Sequence, residues 1–158
     1  MKSFVTVVLL IMAAHLTAVA ALAQSEDKAV IDKFILAQAN KEHGEEPEGI
    51  RKVADGDLNR DGVADVAVLY TIEGQNGSNN YIQYLAVFLR QNGRLVYTAG
   101  QPVGGKNRRE IELTSIKDNV IFFSTTAYGP RDPSCCPTIK GKTKFVLAGK
   151  KLSERRQK

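Results

Sequence analysis

The stretch that decides the fold is Val63-Ala64-Asp65-Val66-Ala67-Val68-Leu69-Tyr70-Thr71-Ile72-Glu73. Side chains of a strand alternate between its two faces. One face would carry Val66, Val68 and Tyr70, and the other Ala67, Leu69 and Thr71. Because both faces are largely apolar, the pattern predicts a central strand that is covered on both sides.

Short apolar runs continue downstream of this strand and predict further strands. They lie at 81–90, 94–99, 108–116, 120–127 and 143–148. Asn92-Gly93 is a residue pair preferred in type I′ hairpin turns, so the strands on either side of it are expected to pair antiparallel. Most of the other runs are also joined by short turns, which is typical of a meander.

Upstream of the decisive strand, apolar residues recur at helical spacing and predict a helix from Glu26 to His43. Ser25 can cap its first turn, where acidic residues favour the positive end of the helix dipole. One helix followed by strands predicts an α+β fold. In this fold an N-terminal helix packs on an antiparallel sheet of about six strands, which is largely a meander.

Residues 1–23 predict a secretory signal peptide. Lys2 supplies a positive charge, an apolar run extends from Phe4 to Ala20, and Ala21-Leu22-Ala23 matches the small-residue cleavage pattern. The alternative is an uncleaved membrane anchor, since the run is almost long enough to span a bilayer. We expect cleavage after Ala23 and a periplasmic or secreted mature chain without a transmembrane segment. It would form a single domain over residues 24–149, with a basic flexible tail over 150–158.

A candidate metal site precedes the decisive strand. Its potential oxygen ligands occupy positions 1, 3, 5, 7 and 9 of one loop: Asp57, Asn59, Asp61, the carbonyl of Val63, and Asp65. Gly62 stands at position 6, as in the first part of an EF-hand loop. Three neighbouring carboxylates repel one another unless a cation neutralises them, so the spacing predicts Ca²⁺. The alternative is a turn whose Asp and Asn side chains hydrogen-bond their own backbone without an ion.

The loop departs from an EF-hand at position 12, where Val68 replaces the bidentate Glu and a strand replaces the exit helix. Residues 56–68 instead resemble the calcium loop of the FG-GAP repeat, also called the VCBS repeat, in which the loop leads into an apolar strand. The resemblance implies a structural calcium ion bound by Asp57, Asn59, Asp61, the Val63 carbonyl and Asp65. The resemblance covers a single repeat. It does not imply a propeller, because a single copy of the repeat cannot form a closed propeller.

The two cysteines of the chain, Cys135 and Cys136, are adjacent in a proline-rich loop. Export allows their oxidation, and only a vicinal disulfide can form within the chain. A disulfide that stiffens the loop, two reduced thiols, and a redox or soft-metal role all remain open. Residues 132–137 are similar to a segment of small exported bacterial proteins that also carry an Asp-rich loop before a strand. That resemblance implies no activity.

Charge is divided unevenly along the chain. Residues 24–73 contain 12 acidic and 6 basic residues, whereas residues 74–158 contain 5 acidic and 15 basic residues. The basic half indicates an anionic partner, such as an acidic protein or an envelope polyanion. Nucleic acid is not expected as a partner of an exported chain. The alternative is a solvated basic surface that aids solubility.

Few residues suit catalysis. After cleavage His43 is the only histidine, and no nucleophile–base, metalloprotease or phosphate-loop motif is present. The sequence therefore favours an exported, non-enzymatic binding or interaction protein with a structural calcium loop. One alternative is a thiol-based redox or metal sensor that uses Cys135 and Cys136. Another is a small envelope hydrolase that uses paired carboxylates.

Overall fold

The computed structural model describes residues 24–156, of which 24–41 form a helix, α1. Within the described residues, eight strands follow: β1 Lys52–Gly56, β2 Asp65–Glu73, β3 Tyr81–Gln91, β4 Arg94–Gly105, β5 Arg109–Lys117, β6 Val120–Ala127, β7 Ile139–Ala148 and β8 Lys151–Arg156. A 3-10 turn at Gln75–Gly77 lies between β2 and β3. The predicted signal peptide, residues 1–23, lies outside the described residues.

The strands form one sheet in which each strand pairs antiparallel with the next, in the order β1 to β8. This confirms the α+β class and the antiparallel meander. The expected number of about six strands is wrong, since residues 24–156 contain eight. The two additional strands are β1 and β8. Residues 151–156, which were expected to belong to a flexible tail, form β8 and pair with β7.

Contacts place the described residues 24–34 in one compact unit and the described residues 35–156 in a second. In the first unit, the described residues 24–34 are helical. The second unit contains the end of α1 and the whole sheet, and every site discussed below lies in it. No helix within residues 24–156 has the length and apolar character needed to cross a membrane.

The end of α1 is a Schellman motif. The N–H of Gly44 donates to the carbonyl of Ala39 (3.0 Å), and the N–H of His43 donates to the carbonyl of Asn40 (3.2 Å). His43 has a φ of 53°, the left-handed conformation that this position requires. Because the chain leaves the helical conformation here, α1 ends at residue 41 and not at His43 as predicted.

Two tight turns fix the register of the meander. The predicted type I′ turn between β3 and β4 is confirmed, because Asn92 and Gly93 both have positive φ angles, of 51° and 80°. Asp118 and Asn119 join β5 to β6 with φ angles of 50° and 61°. Asp and Asn tolerate this conformation better than other residues with a Cβ. Both hairpins therefore close without a longer loop.

The sheet folds over between β4 and β5, where only Gly105 and Arg109 are paired. We call β1–β4 the first half-sheet and β5–β8 the second half-sheet. Gln83 bridges them, because its side-chain N–H donates to the carbonyl of Ile111 (3.1 Å) and its side-chain oxygen accepts the Ile111 N–H (3.0 Å). One buried cluster includes Leu69, Leu85 and Val87 from the first half-sheet, and Ile121, Phe123 and Phe145 from the second.

The two half-sheets bury their faces differently. β2 is buried on both faces, with Val66, Val68, Tyr70 and Ile72 on one side and Ala67 and Leu69 on the other. This confirms the prediction for the decisive strand. The second half-sheet buries one face, through residues such as Ile111, Leu113, Ile121, Phe123 and Phe145. Its opposite face, which we call the outer face, carries mainly Glu, Ser, Thr and Lys side chains.

A tyrosine pair lies on the face of β2 and β3 opposite the shared core. The rings of Tyr70 and Tyr84 stack with their centroids 5.4 Å apart. The Tyr84 hydroxyl donates to the carboxylate of Glu42, just after α1, at 2.6 Å. Burial, this hydrogen bond and the charge of Glu42 raise the pKa of Tyr84, so the phenol remains a donor. The hydrogen bond ties the end of α1 to β3.

Candidate functional sites

The loop between β1 and β2 is held together by its own polar side chains. The carboxylate of Asp57 accepts the backbone N–H groups of Arg60 (2.6 Å) and Gly62 (3.0 Å). The side-chain oxygen of Asn59 accepts the N–H of Asp61 (3.0 Å). These are the hydrogen bonds expected of a turn stabilised by Asp and Asn side chains, and they preorganise the backbone of the loop.

Asp57 is held as an anion by this arrangement. Partial desolvation raises the pKa of its carboxyl, but the N–H groups of Gly62, Arg60 and Asp61 outweigh that effect and keep the pKa below its ordinary value. The backbone N–H dipoles of the loop therefore stabilise the negative charge of Asp57 without an ion.

Asp65 differs from the other ligand candidates because it is fully buried, with 0% of its surface exposed. One carboxylate oxygen accepts the N–H of Leu58 (2.8 Å), and the other accepts the N–H of Arg90 on β3 (2.9 Å). Its position in the sequence motif indicated a ligand. In the fold it also joins the loop and the start of β2 to the neighbouring strand.

The residue types and the spacing of the loop fit a calcium ion, but the positions of its side chains fit one less well. Carboxylate and amide oxygens suit this cation, and a carboxylate oxygen that accepts one hydrogen bond keeps a second lone pair. However, the amide of Asn59 donates to Asp61 (2.8 Å). Among residues 24–156, no three His, Cys, Asp or Glu side chains lie close enough together to hold a metal ion. Calcium binding here stays a prediction.

The loop between β6 and β7 contains the two cysteines. The sulfur atoms of Cys135 and Cys136 lie at disulfide distance, and both residues are exposed. Asp132 organises this loop by accepting the N–H groups of Gly129 (2.7 Å) and Thr138 (2.8 Å). The bond from Gly129, together with those from Thr138, holds the pKa of Asp132 below its ordinary value despite partial desolvation. This role of Asp132 was not predicted from the sequence, although an Asp-Pro pair favours a turn.

Basic side chains line the outer face of β7 and β8. Lys140, Lys142 and Lys144 alternate along β7 and therefore point to the same side of the sheet. Lys144 lies directly opposite Arg155 of β8. None of these four side chains forms an ion pair with a described residue. We call the four residues the basic face.

His43, the histidine that remains after the predicted cleavage, serves the fold through its backbone. It provides the left-handed residue of the Schellman motif, and its carbonyl accepts the N–H of Asn76 (3.0 Å). Its imidazole is exposed and makes no hydrogen bond to another described residue. The hydrolase alternative gains no support from this residue.

Known proteins supply no relative from which a function could be carried over. A fold by itself does not determine an activity, so the function has to be argued from the sites. The FG-GAP resemblance of residues 56–68 accordingly stays a prediction based on the loop residues alone. No protein-family model, no curated protein and no solved structure matches this chain.

Proposed function

We propose that this chain is an exported, non-enzymatic binding protein whose basic face binds an anionic polymer. The observation that carries the proposal is the cross-strand pair of Lys144 and Arg155. Like charges directly opposite each other on neighbouring strands destabilise a sheet. No acidic side chain among the described residues pairs with either of them. A bound polyanion would remove this repulsion, so the arrangement favours an anionic ligand.

The spacing of the lysines favours a polymer over an acidic protein. Side chains two residues apart on a strand are separated by about 6.6–6.8 Å, so Lys140, Lys142 and Lys144 form a row of evenly spaced charges. A chain with repeating anionic groups can follow such a row. Charged residues are depleted at the centres of protein–protein interfaces, which makes an acidic protein the poorer match. With the predicted export, an envelope polyanion is the partner class we favour.

Salt dependence tests this proposal. Heparin serves as the probe polymer, with neutral dextran as its control, and binding is followed by isothermal titration calorimetry. We expect heparin affinity to fall steeply between about 50 and 200 mM NaCl, because bound lysines release counterions. Dextran should not bind. Heparin affinity that is independent of salt would contradict the proposal, and tighter binding to serum albumin than to heparin would favour the acidic-protein alternative.

We also propose that the loop between β1 and β2 holds a structural calcium ion. The proposed ligands are Asp57, Asn59, Asp61 and the carbonyl of Val63. For Asp65 we propose a mixed role, in which hydrogen bonds to the backbone leave it one lone pair per oxygen for the ion. The bound cation would neutralise the carboxylates and fix the entry into β2.

The effect of a stiffer loop would also extend to the second half-sheet. Arg60, within the loop, donates from its side chain to the side-chain oxygen of Asn119 at 2.9 Å. Asn119 belongs to the turn between β5 and β6. Calcium would therefore restrain a contact between the half-sheets as well as the loop itself.

A thiol-based redox sensor is the second candidate function, supported by the exposure of Cys135 and Cys136. An external dithiol such as dithiothreitol can reach the pair and supply the two electrons and two protons that convert a disulfide into two thiols. Thiol titration should find none before this treatment and two after it. The sensor idea is abandoned if the reduced and oxidised proteins have the same melting temperature and heparin affinity.

A further inference from the structure

An acidic cleft of about 390 Å³ opens where the ends of β2 and β3 meet β5 and β6. Glu73 lines it from the end of β2, and Glu110 and Glu112 line it from β5. The last two residues alternate on the same side of the strand, about 6.6–6.8 Å apart. Small-molecule sites commonly have volumes of about 300–1,000 Å³, so the cleft is large enough for an organic ligand.

Thr71 supplies the cleft with a hydroxyl that has no partner. The residue lines the cleft and is only 7% exposed, yet no other described residue hydrogen-bonds its side chain. Its cross-strand neighbour is Gln83. The side-chain amide of Gln83 is already used, since its N–H donates to the carbonyl of Ile111 and its oxygen accepts the Ile111 N–H. The hydroxyl oxygen is not among the fully buried polar atoms of the described residues, so it opens into the cleft, where a ligand can accept or donate a hydrogen bond.

None of the three glutamates, Glu73, Glu110 and Glu112, forms an ion pair with a described residue. Arg51 and Arg109, the arginines adjacent in sequence to cleft residues, pair instead with Glu46 and Glu154. Lys140 and Lys142 of β7 lie directly opposite Thr126 and Ser124, two residues of β6 that line the cleft, but they form no ion pair with Glu110 or Glu112. The lining itself therefore carries three carboxylates without an ion pair and no basic side chain.

Further hydroxyl groups surround this charge. The Ser124 hydroxyl lies 3.4 Å from a carboxylate oxygen of Glu112. Tyr81 also lines the cleft, and burial together with the charge of Glu110 raises the pKa of its phenol. At neutral pH these groups remain protonated and can both donate and accept hydrogen bonds.

We propose that the acidic cleft binds a small organic ammonium ion that also carries hydroxyl groups, such as an amino sugar. The glutamates attract the ammonium group, and the hydroxyls of Thr71 and Ser124 bind the polar groups of the ligand. A metal ion suits the cleft poorly, because within residues 24–156 no three acidic side chains lie close enough to share one. A cation of several atoms can instead reach carboxylates on different strands. The ligand is opposite in charge to the polymer proposed for the basic face, so the two proposals fail separately.

The test is a titration of the ¹⁵N-labelled full chain with glucosamine, followed by NMR at constant pH and ionic strength. N-acetylglucosamine, which has the hydroxyls but no positive charge, is the matched ligand control. We expect saturable shifts at the amides of residues 71–73, 81–83 and 110–112. Affinity for N-acetylglucosamine should be lower by about tenfold or more, because hydrogen bonds to charged groups are the stronger ones.

Two pairs of variants locate the site. Glu110→Gln with Glu112→Gln should weaken glucosamine binding by about tenfold or more. The control, Glu48→Gln with Asp118→Asn, removes the same charge from acidic residues outside the cleft and should leave affinity unchanged. Thr71→Val should weaken binding several-fold, and Thr71→Ser should preserve it because it keeps the hydroxyl.

Four results would each overturn the proposal. The first two are that both sugars bind equally well, or that glucosamine causes no saturable shifts. The third is that the cleft variant and its control lose the same affinity for glucosamine. The fourth is that calcium chloride saturates the same amides. Folding of each variant is checked from its amide spectrum. Substitution of the basic-face lysines should not weaken glucosamine binding, because it removes positive charge beside the cleft, whereas it should weaken heparin binding.

Discussion

The first and second half-sheets share one core but use their other faces differently. In the first, β2 and β3 are buried on both sides, with Tyr70, Tyr84 and Phe88 covered on the face away from the core. In the second, β5–β8 bury one side and present Glu110, Lys142 and similar residues on the other. A strand buried on both sides contributes stability and offers a ligand only its end, as β2 and β3 do where they line the acidic cleft. The comparison indicates that stability is concentrated in the first half-sheet and that recognition of the anionic polymer belongs to the outer face of the second.

The largest expected effect on the free energy of unfolding comes from replacing phenylalanines that face away from the shared core. Phe88 of β3 is fully buried, whereas Phe122 of β6 is only partly buried on the outer face. Phe88→Ala should lower the free energy of unfolding by about 3–5 kcal/mol. Phe122→Ala should lower it by about 1 kcal/mol. Urea denaturation measures both values.

Phe123→Ala is the control for this comparison, since Phe123 lies next to Phe122 in the same strand but faces the core. It should lower the unfolding free energy about as much as Phe88→Ala does. Equal losses for Phe88→Ala and Phe122→Ala would contradict the difference between the half-sheets.

The next effect concerns the buried carboxylate that anchors the loop of the first half-sheet. Asp65→Ala removes the acceptor for two backbone N–H groups and should lower the unfolding free energy by about 2–3 kcal/mol. Asp55→Ala, at an exposed position of β1, should change it by less than about 0.5 kcal/mol. Chemical denaturation without calcium is the measurement. Similar losses in the two variants would show that Asp65 is not an anchor.

Calcium should act on the first half-sheet with a smaller effect. At a calcium concentration about ten times Kd, the expected stabilisation is about 1.4 kcal/mol. The melting temperature of the unmodified chain should therefore rise on addition of millimolar CaCl₂ and fall back with a chelator. Asp61→Ala should abolish the rise, and Asp118→Ala, outside the loop, should not. A melting temperature unaffected by calcium would rule out the structural ion.

The smallest expected effect compares one loop carboxylate from each half-sheet. The pKa values of Asp57 and Asp132 are both lowered in the folded chain. Their contribution to stability is present above the unfolded-state pKa of about 3.9, and it is lost as the pH falls through the lower folded pKa. Asp57→Asn and Asp132→Asn should each flatten the acid limb of a stability–pH curve. An unchanged limb in both variants would contradict the lowered pKa values.

The features predicted from sequence are those that depend on local pattern. The apolar faces of β2 and the Asn92-Gly93 turn each lie within a few residues and carry clear signals. β1 was missed because Val53 is exposed and the strand has no alternating pattern. β8 was missed because its single buried apolar residue, Leu152, stands among charged residues.

The candidate sites were predicted only in part, for a related reason. The loop from Asp57 to Asp65 has a recognisable spacing, but the hydrogen bond from Arg90 to Asp65 depends on the register of β2 and β3. The acidic cleft depends on the fold between β4 and β5, where Gln83 meets Ile111. No local pattern encodes such contacts between distant segments, so they appear only with the tertiary structure.

The central claim, that the outer face of the second half-sheet recognises an anionic polymer, is tested most directly by two matched triple variants. One replaces Lys140, Lys142 and Lys144 by Gln, and the other replaces the exposed residues Lys33, Lys41 and Lys52, outside the second half-sheet, by Gln. Both lose the same charge, so general attraction falls equally. Heparin affinity in about 50 mM salt should drop by about tenfold or more in the first variant and remain within about threefold in the second. Equal losses would show that net charge, and not the basic face, governs binding.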